Sequence, residues 1–126
     1  MSAEAKTTRW GLPLADWETA KAQAEAAVVE RARRRSTITY SELCAAIPVA
    51  RFKPYSWRLM ALLDEVCAEE DAAHGIILAT LVVRADSGRP GDGYFRAIER
   101  LGADVSEREA VWLAEAERVW SAYAAT

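Results

Sequence analysis

Histidine occurs once, at position 74, and the two cysteines, Cys44 and Cys67, lack C-x-x-C spacing. No His/Cys/carboxylate pattern at ligand spacing surrounds them, so no metal and no cofactor is expected. A hydrolase needs a nucleophile beside a base, and no Ser or Cys elbow accompanies His74. The glycine-rich stretch Ser87-Gly88-Arg89-Pro90-Gly91-Asp92-Gly93 lacks the G-K-[ST] of a phosphate loop and does not match G-x-G-x-x-G. The expectation is a chain that is not an enzyme. No run approaches the roughly 18 apolar residues a membrane-spanning helix needs, which argues against membrane insertion. Met1 to Arg9 has no apolar signal core, and isolated thiols suit a reducing compartment, so the expected location is cytoplasmic.

What is present is material for one domain over residues 1–126, with an apolar fraction of 52% and five Trp to form a core. The net charge of −3 conceals a strong asymmetry. From Arg31 to Arg58 the cations Arg31, Arg33, Arg34, Arg35, Arg51, Lys53 and Arg58 face Glu42 alone, whereas from Leu59 onward thirteen acids face six Arg. Screening acts over about 8–10 Å, so each patch presents its own sign to a partner.

The most apolar run is Gly75 to Arg84. Its β-branched residues Ile76, Ile77, Thr80, Val82 and Val83 predict a central strand buried on both faces, opened by Gly75 and closed by the turn residues from Asp86 to Gly93. Around it the pattern is helical. Residues 1–11 read as a loose arm. Trp17, Ala20, Ala24, Val28 and Ala32 mark a helix over about 15–34, with Asp16 as its cap. Thr39-x-x-Glu42 is a capping box, so a short strand leads into a short helix that Pro48 ends. Leu59, Leu62, Leu63, Val66 and Cys67 form the stripe of a third helix, whose opposite face carries Asp64, Glu65, Glu69 and Glu70 into solvent. Phe95, Ile98 and Leu101 define a short helix with Asp92 as cap and Gly102 as terminator. Ser106-x-x-Glu109 reads as a second capping box, opening a helix over about 107–123 with Trp112, Leu113, Ala116, Val119, Trp120 and Tyr123 on one stripe. So wide a stripe must dock on the chain or on a second copy, and a homodimer is the expectation.

The fold class predicted is α+β and mostly helical: a winged-helix-like module over about 36–102, with a small sheet and a helix-turn-helix, braced by the flanking helices. Thr39-Tyr40-Ser41-Glu42-Leu43, Arg58 at the start of the third helix, and Val82-Val83-Arg84 before a glycine-containing turn resemble the winged-helix domain of the alkylguanine-DNA alkyltransferase and alkyltransferase-like group. That group carries P-C-H-R-V where this chain has no Cys-His pair, so the resemblance implies DNA binding without alkyl transfer to cysteine. The stretch Val82 to Phe95 is also similar to a VV…SGxPGxGF pattern of small uncharacterised bacterial and phage proteins, which implies no activity.

Two functions follow from these residues. In the first, double-stranded DNA is bound by Arg51, Lys53 and Arg58 at the start of the third helix, with Arg84 and Arg89 on the wing. In the second, the chain is a protein-interaction domain, an adaptor or small inhibitor, that holds a protein partner through its acidic surface and Trp112, Trp120 and Tyr123 on the last helix.

Overall fold

The computed structural model describes residues 8–124; the part of the expected loose arm at residues 1–7 lies outside the described residues. Residues 8–13 correct the rest of that expectation. Strands β1 (Thr8–Arg9) and β2 (Leu12–Pro13) pair antiparallel with Thr8 opposite Pro13 and Arg9 opposite Leu12. The two-residue turn between them needs φ > 0 twice, and Trp10 (φ 53°) and Gly11 (φ 83°) supply it. A Cβ at Gly11 would also lie 3.0 Å from Arg58 Nη2, so the turn and the start of α3 are in contact.

Helix α1 (Leu14–Arg33) follows directly, capped by Pro13 rather than Asp16, which sits in the first turn where its charge suits the helix dipole. Its buried face is Trp17 and a row of alanines, slim enough for α3 (Trp57–His74) and α5 (Arg108–Ala124) to approach it. Lys21 is buried in the same face. Desolvation works against its ammonium, yet Glu69, Glu18 and Glu65 around it raise its pKa overall.

Strand β3 (Ile38–Thr39) leads into α2 (Tyr40–Ala45) through the expected capping box: the Glu42 amide donates to Thr39 Oγ1 at 3.1 Å, and Thr39 N–H donates to Glu42 Oε1 at 3.0 Å. In α3, Ser56 Oγ accepts from the Leu59 amide, and Leu59, Leu62, Leu63 and Val66 are buried as their spacing requires.

The expected long central strand is corrected. Gly75 caps α3 in the left-handed conformation, Leu78–Leu81 is a 3-10 turn, and only β4 (Val82–Val83) forms paired strand. The reason lies in the pairing available. β3 offers two residues, matched in parallel as Ile38 with Val82 and Thr39 with Val83, so the rest of the run has no ladder to join. Its backbone is satisfied by one local bond and two to other helices: Thr80 N–H donates to Ile77 O at 3.2 Å, Ala79 N–H to Cys67 Sγ at 3.4 Å, and Trp112 Nε1 donates to Thr80 O at 2.8 Å. The burial expected of the run is present, with Leu78, Thr80, Leu81, Val82 and Val83 all inside. The architecture is therefore α+β and mostly helical, with two two-stranded sheets among the described residues. No helix among them is long and apolar enough to cross a membrane.

Helix α4 (Asp92–Arg100) is capped by Gly91, without a side-chain hydrogen bond from Asp92, whose carboxylate pairs with Arg108 instead. Past its end the Gly102 amide donates to Glu99 O and the Ala103 amide to Ile98 O, the paired bonds of a Schellman ending. The second expected capping box does not form. The Ser106 amide donates to Asp104 Oδ1 at 3.0 Å, while the Glu109 carboxylate is taken by Arg89, and α5 starts at Arg108.

Glu70, expected on the solvent face of α3, is 7% exposed. Tyr123 Oη donates to its Oε2 at 2.8 Å, and His74 Nδ1 lies 3.0 Å from the same oxygen. Burial first, then a hydrogen bond shared with Glu70 and its charge, raises the Glu25 carboxyl; Glu70, opposed by burial, is nonetheless lowered by bonds from Glu25, Tyr123 and His74. Folding therefore takes up a proton at Glu25 that the unfolded chain releases, and stability falls as pH rises from the ordinary glutamate range through the raised one.

Two expectations follow. Glu25→Gln keeps a donor toward Glu70 without needing that proton, so thermal melts should show a gain of a few degrees at pH 7 that vanishes near pH 4; a pH-independent difference would show that the two carboxyls share no proton. Thr39→Ala should cost about 0.5–2 kcal/mol in chemical denaturation and Ser106→Ala distinctly less, because of these two residues only Thr39 caps a helix.

Candidate nucleic-acid interface

The large aromatic side chains that remain exposed gather at one end of the fold. Trp57 is 61% exposed, Tyr55 54% and Trp10 45%, and all three lie at the junction of the β1–β2 turn with the start of α3. Neither Tyr55 nor Trp57 belongs to the buried α3 stripe, which begins at Leu59. The hairpin turn holds Trp10 edge-on to Trp57, centroids 5.2 Å apart at 85°. Tyr55 leans on Tyr40, centroids 4.7 Å apart at 45°, and Tyr40 is buried on the first turn of α2. Three bulky residues here hold positive φ: Trp10 (53°), Arg51 (50°) and Tyr55 (64°). Such conformations cost of order 1–3 kcal/mol each and collect where a site is being shaped.

Cations surround the aromatics. Arg51 and Lys53 are exposed on the loop into α3, and Arg58 lies 6.0 Å from the Trp57 ring centre and against the hairpin turn. None of these three forms an ion pair with a described residue. Arg84 stands 5.6 Å over the Tyr55 ring, and its guanidinium is bound in a fork by Asp86, which raises its pKa. Burial, then the neighbouring Tyr55 phenol, raises Tyr40, with Arg84 and the Gly91 amide acting the other way, so Tyr40 remains a neutral phenol at physiological pH.

Of the five arginines and lysines expected on the basic face, the structure thus brings Arg51, Lys53, Arg58 and Arg84 around the end of α3. Arg89 is elsewhere. It forks onto Glu109 and stacks 4.3 Å over Trp112, bracing α5. The first part of the basic segment is also neutralised within the chain, Arg31 by Glu42, Arg34 by Glu30 and Arg35 by Glu117. The residues expected to hold a protein partner are engaged internally. Trp112 Nε1 donates to Thr80 O, Trp120 Nε1 to Ser36 O at 3.0 Å and Tyr123 Oη to Glu70. Helix α5 lies against α1 and the 3-10 turn, with Trp112, Ala116 and Val119 of the expected stripe buried and Leu113 left 50% exposed.

Sequence reasoning missed Trp10, Tyr55 and Trp57. A signal existed for two of them: Trp57 precedes the stripe and is out of phase with it, and Trp10-Gly11 has the X-Gly form of a tight hairpin turn. Chemically, the patch sets flat rings beside guanidinium and ammonium groups that are not paired with an acid among the described residues. No protein-family model, curated protein or solved structure matches this chain.

Proposed function

We propose that this chain is a non-catalytic nucleic-acid-binding domain that grips an unpaired strand at the end of α3. The observation that carries this reading is the exposed Trp10–Trp57 pair and Tyr55, flanked by Arg51, Lys53 and Arg58, which have no acidic partner among the described residues. Bases stack on the rings and the phosphates between them meet the three cations; each stacked base contributes about 1–3 kcal/mol. Duplex is the weaker candidate, because the exposed carboxylates Asp64, Glu69 and Asp71 line α3 beyond its first turn and would repel phosphate along a groove. The finer reading of the fold attached to this function is winged-helix-like over about 36–102. β3, α2, α3 and β4 follow in that order, and the turn closed by Arg84 N–H donating to Arg89 O at 2.9 Å takes the wing's place. A non-catalytic role is supported by the thiols: burial raises Cys44 and pushes Cys67 up to about 11, so neither is a thiolate nucleophile at neutral pH.

The test is tryptophan-fluorescence titration with an oligothymidine strand and with a duplex at low salt. The strand should quench and bind more tightly. Trp57→Ala should weaken it by about 5- to 150-fold, equivalent to one stacked base. Changing Arg51, Lys53 and Arg58 together to Ala should reduce the salt slope by about 0.7 for each phosphate that the variant no longer neutralises. Absence of binding by the unmodified protein at low salt would end this reading.

A further inference from the structure

A groove of about 790 Å³ runs between α3 and α4, which stand apart on either side of the 3-10 turn. Its size lies within the roughly 300–1,000 Å³ typical of ligand-accepting clefts. Met60, Leu63, Ile77, Ala97 and Leu101 make its surface apolar, and Leu101 at the rim is 66% exposed. The walls differ in charge. α3 contributes Asp64 and Asp71, and α4 contributes Arg100; none of the three forms an ion pair with a described residue. Arg84 at one end is already neutralised by Asp86.

Asp64 and Asp71 are seven residues apart on one helix, two turns or about 10.5 Å along its axis. A second helix lying alongside α3 places its own residues i and i+7 at that same separation. We infer that the groove receives an amphipathic helix of a protein partner. Its apolar stripe covers Met60, Leu63, Ile77 and Leu101, two basic residues seven apart meet Asp64 and Asp71, and an acidic residue on the other edge meets Arg100. The two carboxylates repel a nucleic acid. A second copy of this chain does not fit the pattern either, since no helix of the described residues carries two cations seven apart. The groove does not include Trp57, although it shares Tyr55 and Arg84 with that end of the fold, and the inference does not rest on the nucleic-acid reading.

The probe is a synthetic helical peptide with a leucine stripe, two lysines seven residues apart on one flank and a glutamate on the other, followed by fluorescence anisotropy. Saturable micromolar binding is expected. A twin with glutamate for both lysines should bind about tenfold more weakly, the equivalent of two solvent-exposed ion pairs. Asp64→Asn with Asp71→Asn should erase that discrimination, and Ala68→Trp, at an exposed position lining the groove, should block binding. Trp57→Ala should leave peptide binding unchanged, which separates this result from the fate of the nucleic-acid reading. Circular dichroism checks that the variants fold, and the Asn pair preserves the test should Ala68→Trp not fold. Failure of the lysine peptide to bind, equal binding of its twin, or a dimer in light scattering that Ala68→Trp dissociates would overturn the proposal.

Discussion

One buried residue, Thr80, determines how the helices are placed. Its side chain is fully enclosed, its Oγ1 lies 2.9 Å from Tyr94 Oη, and its carbonyl accepts from Trp112 Nε1 at 2.8 Å. α4 and α5 are thus tied to the same turn of chain, which itself sits against α1 and α3. Leaving any of these groups unsatisfied would cost about 1–3 kcal/mol, so the network selects one arrangement of helices over others that would bury similar apolar area. Tyr94 reaches Thr80 from the near end of α4 and, with Ile98, also lines the groove, so this tether fixes where the groove's α4 wall stands.

Charge pairing has little to do with stability here and much to do with which surface remains available. Pairs such as Arg84–Asp86, Arg89–Glu109 and Arg108–Asp92 are solvent-exposed, where water and salt screen the attraction and it adds little to stability. Their larger effect is on the field outside the protein. Each paired guanidinium ceases to attract a distant anion, so an acidic chain with sixteen Lys and Arg shows a concentrated positive site only where pairing fails. Arg51, Lys53 and Arg58 are such a place, and strained backbone holds the aromatics beside them.

The legible parts of the fold were those written in local spacing. The Thr39 box, the α3 stripe and the ending at Gly102 depend on contacts within four or five residues, and all three formed. Where a distant partner decided the outcome, local spacing misled. Ser106-x-x-Glu109 had the letters of a box, but Arg89, twenty residues away, held the glutamate. Glu70 looked solvated until Tyr123 and Glu25 arrived from two other helices. The run from Gly75 had strand composition and strand-like burial, and lacked only the partner that makes extended backbone tenable; continuous apolar runs cannot reveal that lack. For the site, clustered cations were visible in sequence. The platform was not, because exposure of Trp10 and Trp57 depends on a hairpin that brings residues 47 apart into edge contact.

The aromatic platform and the groove meet at Tyr55 and Arg84. Tyr55 is one of the exposed rings, yet it also lines the groove together with Tyr40 and Arg84. A base stacking on Tyr55 would fix a ring that a docked helix must also pack against, at a position already in a positive-φ conformation. Any free energy one ligand gains or loses by repositioning Tyr55 must then appear, with the same magnitude and sign, in the affinity of the other. The Arg84–Asp86 fork limits how far that coupling can extend, because moving Arg84 off Tyr55 would break two hydrogen bonds near 3.0 Å in addition to the ring contact. The coupling is therefore carried mainly by the Tyr55 ring and its backbone.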